Sequence, residues 1–220
     1  DHSGLLPKLV HDGFKGAIYC TYGTQQLLKI LLEDAVHIYL KDLEYENLRR
    51  ERSGKKALTP QYTLDDVQHV LRLCQGQDYA HATTFLQHFT LTFHDAGHIL
   101  GSSIVELAIK DEVDSKTLVF SGDLGNPDTS LMRNFDFVDK ADVVLMESTY
   151  GNRDHRCFDE TLDEFKAILQ QAEADGGNIL IPAFAVGRTQ ELLFHLGKMY
   201  HEGLLDHWHV FLDSPMAKAV

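Results

Sequence analysis

Three short segments of this sequence hold residue types able to do chemistry. They are Asp1-His2-Ser3-Gly4, the stretch Phe93-His94-Asp95-Ala96-Gly97-His98-Ile99-Leu100-Gly101-Ser102-Ser103, and Ser121-Gly122-Asp123-Leu124-Gly125. Each sets imidazole or carboxylate groups beside glycine. Imidazole nitrogen and carboxylate oxygen are donors that a borderline cation such as Zn²⁺ accepts alongside thiolate, and glycine lets the backbone turn tightly enough to aim them at one point. Any one of the three would be weak, because short motifs match often by chance. Together, and placed where apolar runs end, they describe a centre to which several donors converge. Histidines on helical stretches, such as His69, His195 and His201, read instead as surface or core residues.

A fourth segment suggests anion binding. Gly187 precedes a helix whose free N–H groups can hold an anion, and Arg188 stands at its positive end, where the helix dipole disfavours a cation. A bound phosphate would relieve that conflict, and Glu191 on the next turn would relieve it equally well.

The elements that must position these residues are mixed. Residues 16–20 read as a short strand followed by an apolar stretch of helical period through Leu27, Leu28, Leu31 and Leu32. Residues 33–60 turn heavily charged and include Arg49, Arg50, Arg52, Lys55 and Lys56, the pattern of a solvated helix and loop. Thr63 with Asp66 forms a capping-box start for a helix to about Leu73. Strands are predicted over 89–93, 104–109 and 117–120. The continuous apolar run in 141–146 predicts a strand covered on both faces. After Gly151 the rhythm becomes helix, strand, helix, strand: a helix through Leu162, Phe165, Ile168, Leu169 and Ala172 closed by Gly176-Gly177, a strand at 178–181, a helix from Gly187 to about Tyr200, and a strand at 208–212. Such alternation implies a parallel sheet with crossover helices, and a domain boundary near Gly151.

Composition bounds the class. The chain has 220 residues, 44% of them hydrophobic, enough for a sizeable core and one or two domains. No apolar run nears the roughly 20 residues that span a bilayer, and nothing near the start resembles a signal peptide. Cys20, Cys74 and Cys157 are odd in number, distant and without C-x-x-C spacing, which suits a reducing cytoplasm better than a disulfide scaffold. The net charge of −13 weighs mildly against a polyanion partner. Carboxylates and imidazoles built to hold metal contribute to that balance until the metal is bound.

These segments resemble, in order, the motifs of metallo-β-lactamase-fold nucleases of the β-CASP type. Asp1-His2-Ser3-Gly4-Leu5-Leu6-Pro7 resembles the second half of the signature H-x-H-x-D-H-x-G-x-L-P. Residues Ala96 to Gly101 resemble the family's next histidine motif, and Ser121-Gly122-Asp123 its bridging aspartate. Glu147-Ser148-Thr149-Tyr150-Gly151-Asn152-Arg153 is similar to the E-S-T-Y-G segment that opens the β-CASP insertion. Residues Ile181 to Leu192 are similar to the P-x-F-A-x-G-R-x-Q-E-L segment inside it. The last two are long and specific to the nuclease branch, which includes RNase J and the pre-mRNA 3′-end-processing endonuclease; the charged stretch after Leu32 is more like prokaryotic members of the endonuclease type.

The resemblance implies an α/β fold: residues 1–151 as a partial metallo-β-lactamase αββα sandwich, and 152–220 as the start of a β-CASP domain. It implies two Zn²⁺, with His98 on one, Asp1 and His2 on the other, and Asp123 bridging. It implies hydrolysis of RNA phosphodiesters by a hydroxide held between the metals, with Asp1, Asp123 and Glu147 catalytic and Glu147 paired to a later histidine. Gly187 and Arg188 are the expected RNA phosphate contact. Endonuclease action leads, with exonuclease action alongside it. The expected partners are RNA and a second copy of the chain, with no membrane and a cytoplasmic location. Four of the family's seven metal ligands fall within the sequence, so the chain alone is expected to be an inactive fragment of its parent. Two other functions compete: a small-molecule metallohydrolase of the same core fold, which would lack the block after Gly151, and a metal-free scaffold, against which the intact Asp1, His2, His98 and Asp123 count.

Overall fold

The computed structural model describes residues 2–111, 114–127 and 129–220. The chain forms an α/β structure with two sheets. Helix α1 (Leu6–His11) begins with Pro7 in its first turn, where a missing N–H costs nothing. Strand β1 (Ile18–Thr21) leads directly into α2 (Tyr22–Arg52), whose N-cap Thr21 accepts from the Thr24 N–H. Helix α3 (Leu64–Leu73) starts on the predicted capping box, the Thr63 N–H donating to Asp66 Oδ2 at 2.8 Å. It feeds β2 (Cys74–Gln77), which pairs parallel with β1. Leu28, Leu32 and Val36 of α2 pack on Val67 and Val70 of α3, with Cys20 and Cys74 beneath them.

The second sheet has the order β3 (Thr83–Leu86), β4 (Phe89–Asp95), β5 (Ser103–Lys110), β6 (Ser115–Phe120), β7 (Val143–Leu145). It is antiparallel except for the parallel β6–β7 pair. Ala96, Ile104 and Val119 form the core on one face, with Leu124 and Val138 packed over them. Because β4, β6 and β7 end near one another, the segments that follow them emerge together. Beyond them, α4 (Phe158–Ala174) and α5 (Arg188–His201) bury Leu169 and Met199 with Leu205, and α6 (Pro215–Ala219) follows.

Two expectations need correction. The apolar run in 141–146 does form a strand, but it is not covered on both faces. Val144 is 58% exposed and Met146 67%. It lies at the end of the strand order, so a continuous apolar pattern there reflects composition and not double burial. Secondly, 178–181 and 208–212 form no strands, and no parallel sheet follows residue 151 among the described residues. A strand exists only through a partner for its N–H and C=O groups, and neither run has one; Leu180 is 92% exposed and Phe211 86%. No described helix is long and apolar enough to cross a membrane.

Candidate metal centre

Two of the predicted donors stand beside one carboxylate oxygen of a third. His2 Nε2 lies 3.1 Å from Asp123 Oδ2, and His98 Nε2 lies 3.8 Å from the same atom. Asp1 lies outside the described residues. Each donor stands on a segment shaped for it. The loop after β4 is tied by Ser102: its hydroxyl accepts the N–H groups of His98 (3.1 Å) and Ile99 (3.2 Å). Its carbonyl accepts the Tyr79 hydroxyl at 2.8 Å. Burial, and then the Asp95 carboxylate, pushes the Tyr79 phenol to about 12, so it stays protonated and able to donate. Gly101 O accepts the hydroxyls of Thr21 and Thr24, fastening the His98 loop to the start of α2.

The Asp123 turn docks on that loop through backbone. Gly125 N–H donates to Ala96 O at 2.8 Å, and a Cβ on Gly125 would stand 1.9 Å from Gly97 O. Gly97 itself has φ +63°, and a Cβ there would meet Arg133 O at 2.5 Å. These two positions admit glycine alone without a shift of backbone.

Glu147 and Ser121 hold the turn from behind. Glu147 Oε1 accepts the Leu124 N–H at 2.6 Å. The buried Ser121 hydroxyl accepts the Glu147 N–H (3.0 Å) and donates to Gly122 O (2.6 Å). The Leu124 N–H, outweighing partial burial, holds the Glu147 carboxyl below its usual range, so it is an ionised acceptor at neutral pH. Sequence reasoning gave Glu147 a chemical role and missed this one; it also passed over Ser121 and Gly125 as locks, though both lie inside the quoted Ser121–Gly125 motif.

The donor types, imidazole nitrogen and carboxylate oxygen, are ones that zinc accepts. Two ligands about 2.1 Å from a tetrahedral ion stand roughly 3.4 Å apart, and the two imidazoles bracket that value in their distances from Asp123. A cluster of three or more donors assembled about a single point is not present among the described residues. The structure sets His2 and His98 each beside Asp123, with Glu147 one hydrogen bond behind, and does not close them into a three-donor cluster.

The start of α5 abuts the same loop. Gly187 has φ +85°, and a Cβ there would be 2.8 Å from Ile99 Cγ2, next to His98. The free N–H groups expected of this helix end are largely engaged. Gly187 donates to Gln190 Oε1, Arg188 to Val186 O and Thr189 to Phe184 O. Loop carbonyls and a side chain thus satisfy the orphan donors that an anion would have taken. The Arg188 guanidinium is exposed and pairs with Glu191 Oε2 at 2.6 Å. His69 and His201 are exposed, while His195 is buried against Ser130 Oγ at 3.1 Å.

No known family profile matches the chain. Individual proteins do. Ribonuclease TTHA0252 of Thermus thermophilus is 36% identical over 220 residues, all of this chain and 45% of that protein. An RNase J-like protein of Methanocaldococcus jannaschii is 30% identical over 223 residues, again all of this chain and 46% of the relative. The chain belongs to the β-CASP ribonuclease family. The transcription termination factor FttA of Methanothermobacter thermautotrophicus is 33% identical over 226 residues, covering 32% of its length. This β-CASP chain thus spans between about a third and a half of these relatives. The alignments run through every segment that carries the β-CASP resemblance, from the His2 turn to the start of α5.

Proposed function

We propose that the protein to which this chain belongs is a zinc-dependent ribonuclease that hydrolyses RNA phosphodiesters at the centre around Asp123. One observation carries the reading: two imidazole nitrogens from segments about a hundred residues apart approach a single Asp123 oxygen. The names of two relatives, a ribonuclease and an RNase J-like protein, support RNA as the substrate class. His2, His98 and Asp123 would hold the metal pair, with Asp123 between them and Asp1 beside His2. Zinc lowers the pKa of water from 15.7 to about 7 and so supplies a nucleophile at neutral pH.

The chain's own residues do the rest. Ser121 and Glu147 fix the turn that carries Asp123, so its carboxylate needs no reorganisation when charge develops on phosphorus. Ser102 and Gly101 fix His98 in the same way. Arg188, carried to the rim by the Gly187–Ile99 contact, leaves Glu191 for a phosphate of the strand. That contact positions the backbone without reading sequence. The metallo-β-lactamase sandwich and the β-CASP division near Gly151 are the architecture this reading requires.

The test uses the full-length protein and RNA labelled at either end. Cleavage that is lost on chelation, restored by zinc and abolished in Asp123→Ala is the expected result; internal fragments would mark an endonuclease, mononucleotides an exonuclease. Arg188→Ala should weaken binding equally for unrelated sequences and make the log–log salt dependence shallower by about 0.7. Near-normal cleavage by Asp123→Ala would sink the reading.

A further inference from the structure

Helix α2 is 31 residues long, about 46 Å at 1.5 Å per residue, and its core contacts end near Leu40. The remainder projects as an arm that is built, not frayed. The returning chain is strapped along it: Asn47 Nδ2 donates to Leu58 O at 2.9 Å and Leu58 N–H to Asn47 Oδ1 at 2.7 Å. Arg50 Nε donates to Lys56 O at 2.8 Å, and the Tyr39 and Tyr62 rings stack at the base, 4.7 Å apart.

The tip of this arm concentrates positive charge in an acidic chain. Five of the 20 Lys and Arg residues lie within 49–56, against the single acid Glu51. A helix C-terminus carries only about half a negative charge to balance. Arg49 lies 3.9 Å from Glu46, and among the described residues Arg52, Lys55 and Lys56 make no ion pair. Tyr45, 67% exposed, stands four residues before Arg49 and seven before Arg52, so the three share one face. An exposed aromatic beside cations most of which have no carboxylate partner among the described residues is the combination that holds a single strand, stacking for a base and charge for its phosphates.

We propose that the α2 tip, with Tyr45, Arg49, Arg52, Lys55 and Lys56, is a second RNA-binding surface that grips the strand far from the metal loops. The inference rests on the ribonuclease reading and adds a distance to it. The helix start is pinned to the His98 loop through Thr21 and Gly101, so the tip sits at a fixed remove of about 40 Å. At roughly 3.4 Å per nucleotide of a stacked strand, both sites are reached only by RNA on the order of a dozen nucleotides or longer.

The experiment compares the full-length wild type with Arg49→Gln/Arg52→Gln/Lys55→Gln/Lys56→Gln, leaving Arg50 to cap Lys56. Unchanged circular dichroism confirms that the arm is intact. Binding of a 30-nucleotide and a 4-nucleotide RNA is followed from 50 to 200 mM salt. For four lost phosphate contacts the slope on the long strand should become shallower by about 2.8, at roughly 0.7 per contact, a difference of about 50-fold in affinity across that range. The 4-nucleotide strand should show no such change in slope. Tyr45→Ala should weaken long-strand binding by roughly 5- to 150-fold with its salt slope unaltered. An unaltered slope on the long strand overturns the proposal, as does an equal change on both strands. So does an arm that binds phosphatidylserine vesicles or an acidic protein while its removal leaves RNA affinity intact. A wild type that binds no RNA of either length refutes instead the ribonuclease reading itself.

Discussion

Gly125→Ala puts the geometry of the centre to its most direct trial. The added Cβ would lie 1.9 Å from Gly97 O and 2.2 Å from Gly97 C, whereas ordinary contact begins at 3.4 Å. Both obstacles are backbone, so no side chain can swing aside. The Asp123 turn and the His98 loop must part by about 1.5 Å, the difference between those two separations. The Gly125 N–H bond to Ala96 O, now 2.8 Å, is stretched or lost with it. Overpacking of this kind costs about 1–3 kcal/mol. A shift near 1 Å at a reacting centre costs on the order of 10²-fold in rate. Full-length Gly125→Ala should therefore fold, melt a few degrees lower, retain less zinc by metal analysis, and cut labelled RNA about a hundred-fold more slowly. Gly197→Ala is the contrast: nothing lies within 4 Å of its Cβ position inside α5, so it should stabilise by about 0.5–1 kcal/mol. If Gly125→Ala binds metal and cleaves RNA as the wild type does, the two loops are not rigidly docked and their backbone contact does not set the position of Asp123.

Two further outcomes follow from neighbouring contacts. Ser121→Ala removes the hydroxyl joining Glu147 N–H to Gly122 O and leaves both backbone groups short of a partner, at about 1–3 kcal/mol; denaturant titration with zinc retention reads both effects, and an unchanged midpoint with full metal content excludes the lock. Asp66 titrates below the ordinary aspartate range: burial pushes it up, but the Thr63 N–H, the His11 imidazole and the Thr63 hydroxyl together push it down further. Its folded pKa lies below its unfolded one, so its stabilisation is present above about pH 3.9 and is lost as pH falls through the depressed folded value. Asp66→Ala should cost about 1 kcal/mol near pH 7 and progressively less in acid; a difference from wild type that holds constant down to pH 2 would contradict this.

What was legible in the sequence was what is local. The capping box at Thr63 and Asp66, the glycine stop after α4 and the Arg188–Glu191 alternative all act within a few residues, and all stand where the pattern put them. The strands 89–95 and 103–110 were equally plain, because each finds its partner across a short connection. The predicted strands at 178–181 and 208–212 had the right residue types and no partner, and composition cannot report a missing neighbour. The candidate donors were readable as motifs, and the structure sets His2 and His98 beside Asp123. What orients them was not: the bond from Leu124 N–H to Glu147 spans 23 residues and uses a backbone donor, which leaves no mark in the residue order.

The contact between His2 and Asp123 spans 121 residues. On a ribosome adding about 5–20 residues per second, Asp123 is made roughly 6–24 s after His2. The α2–α3 core draws only on residues up to Cys74, so it has all its members well before then. The centre is therefore assembled late on ground already laid, and a growing chain carries His2 for seconds before Asp123 is there to meet it.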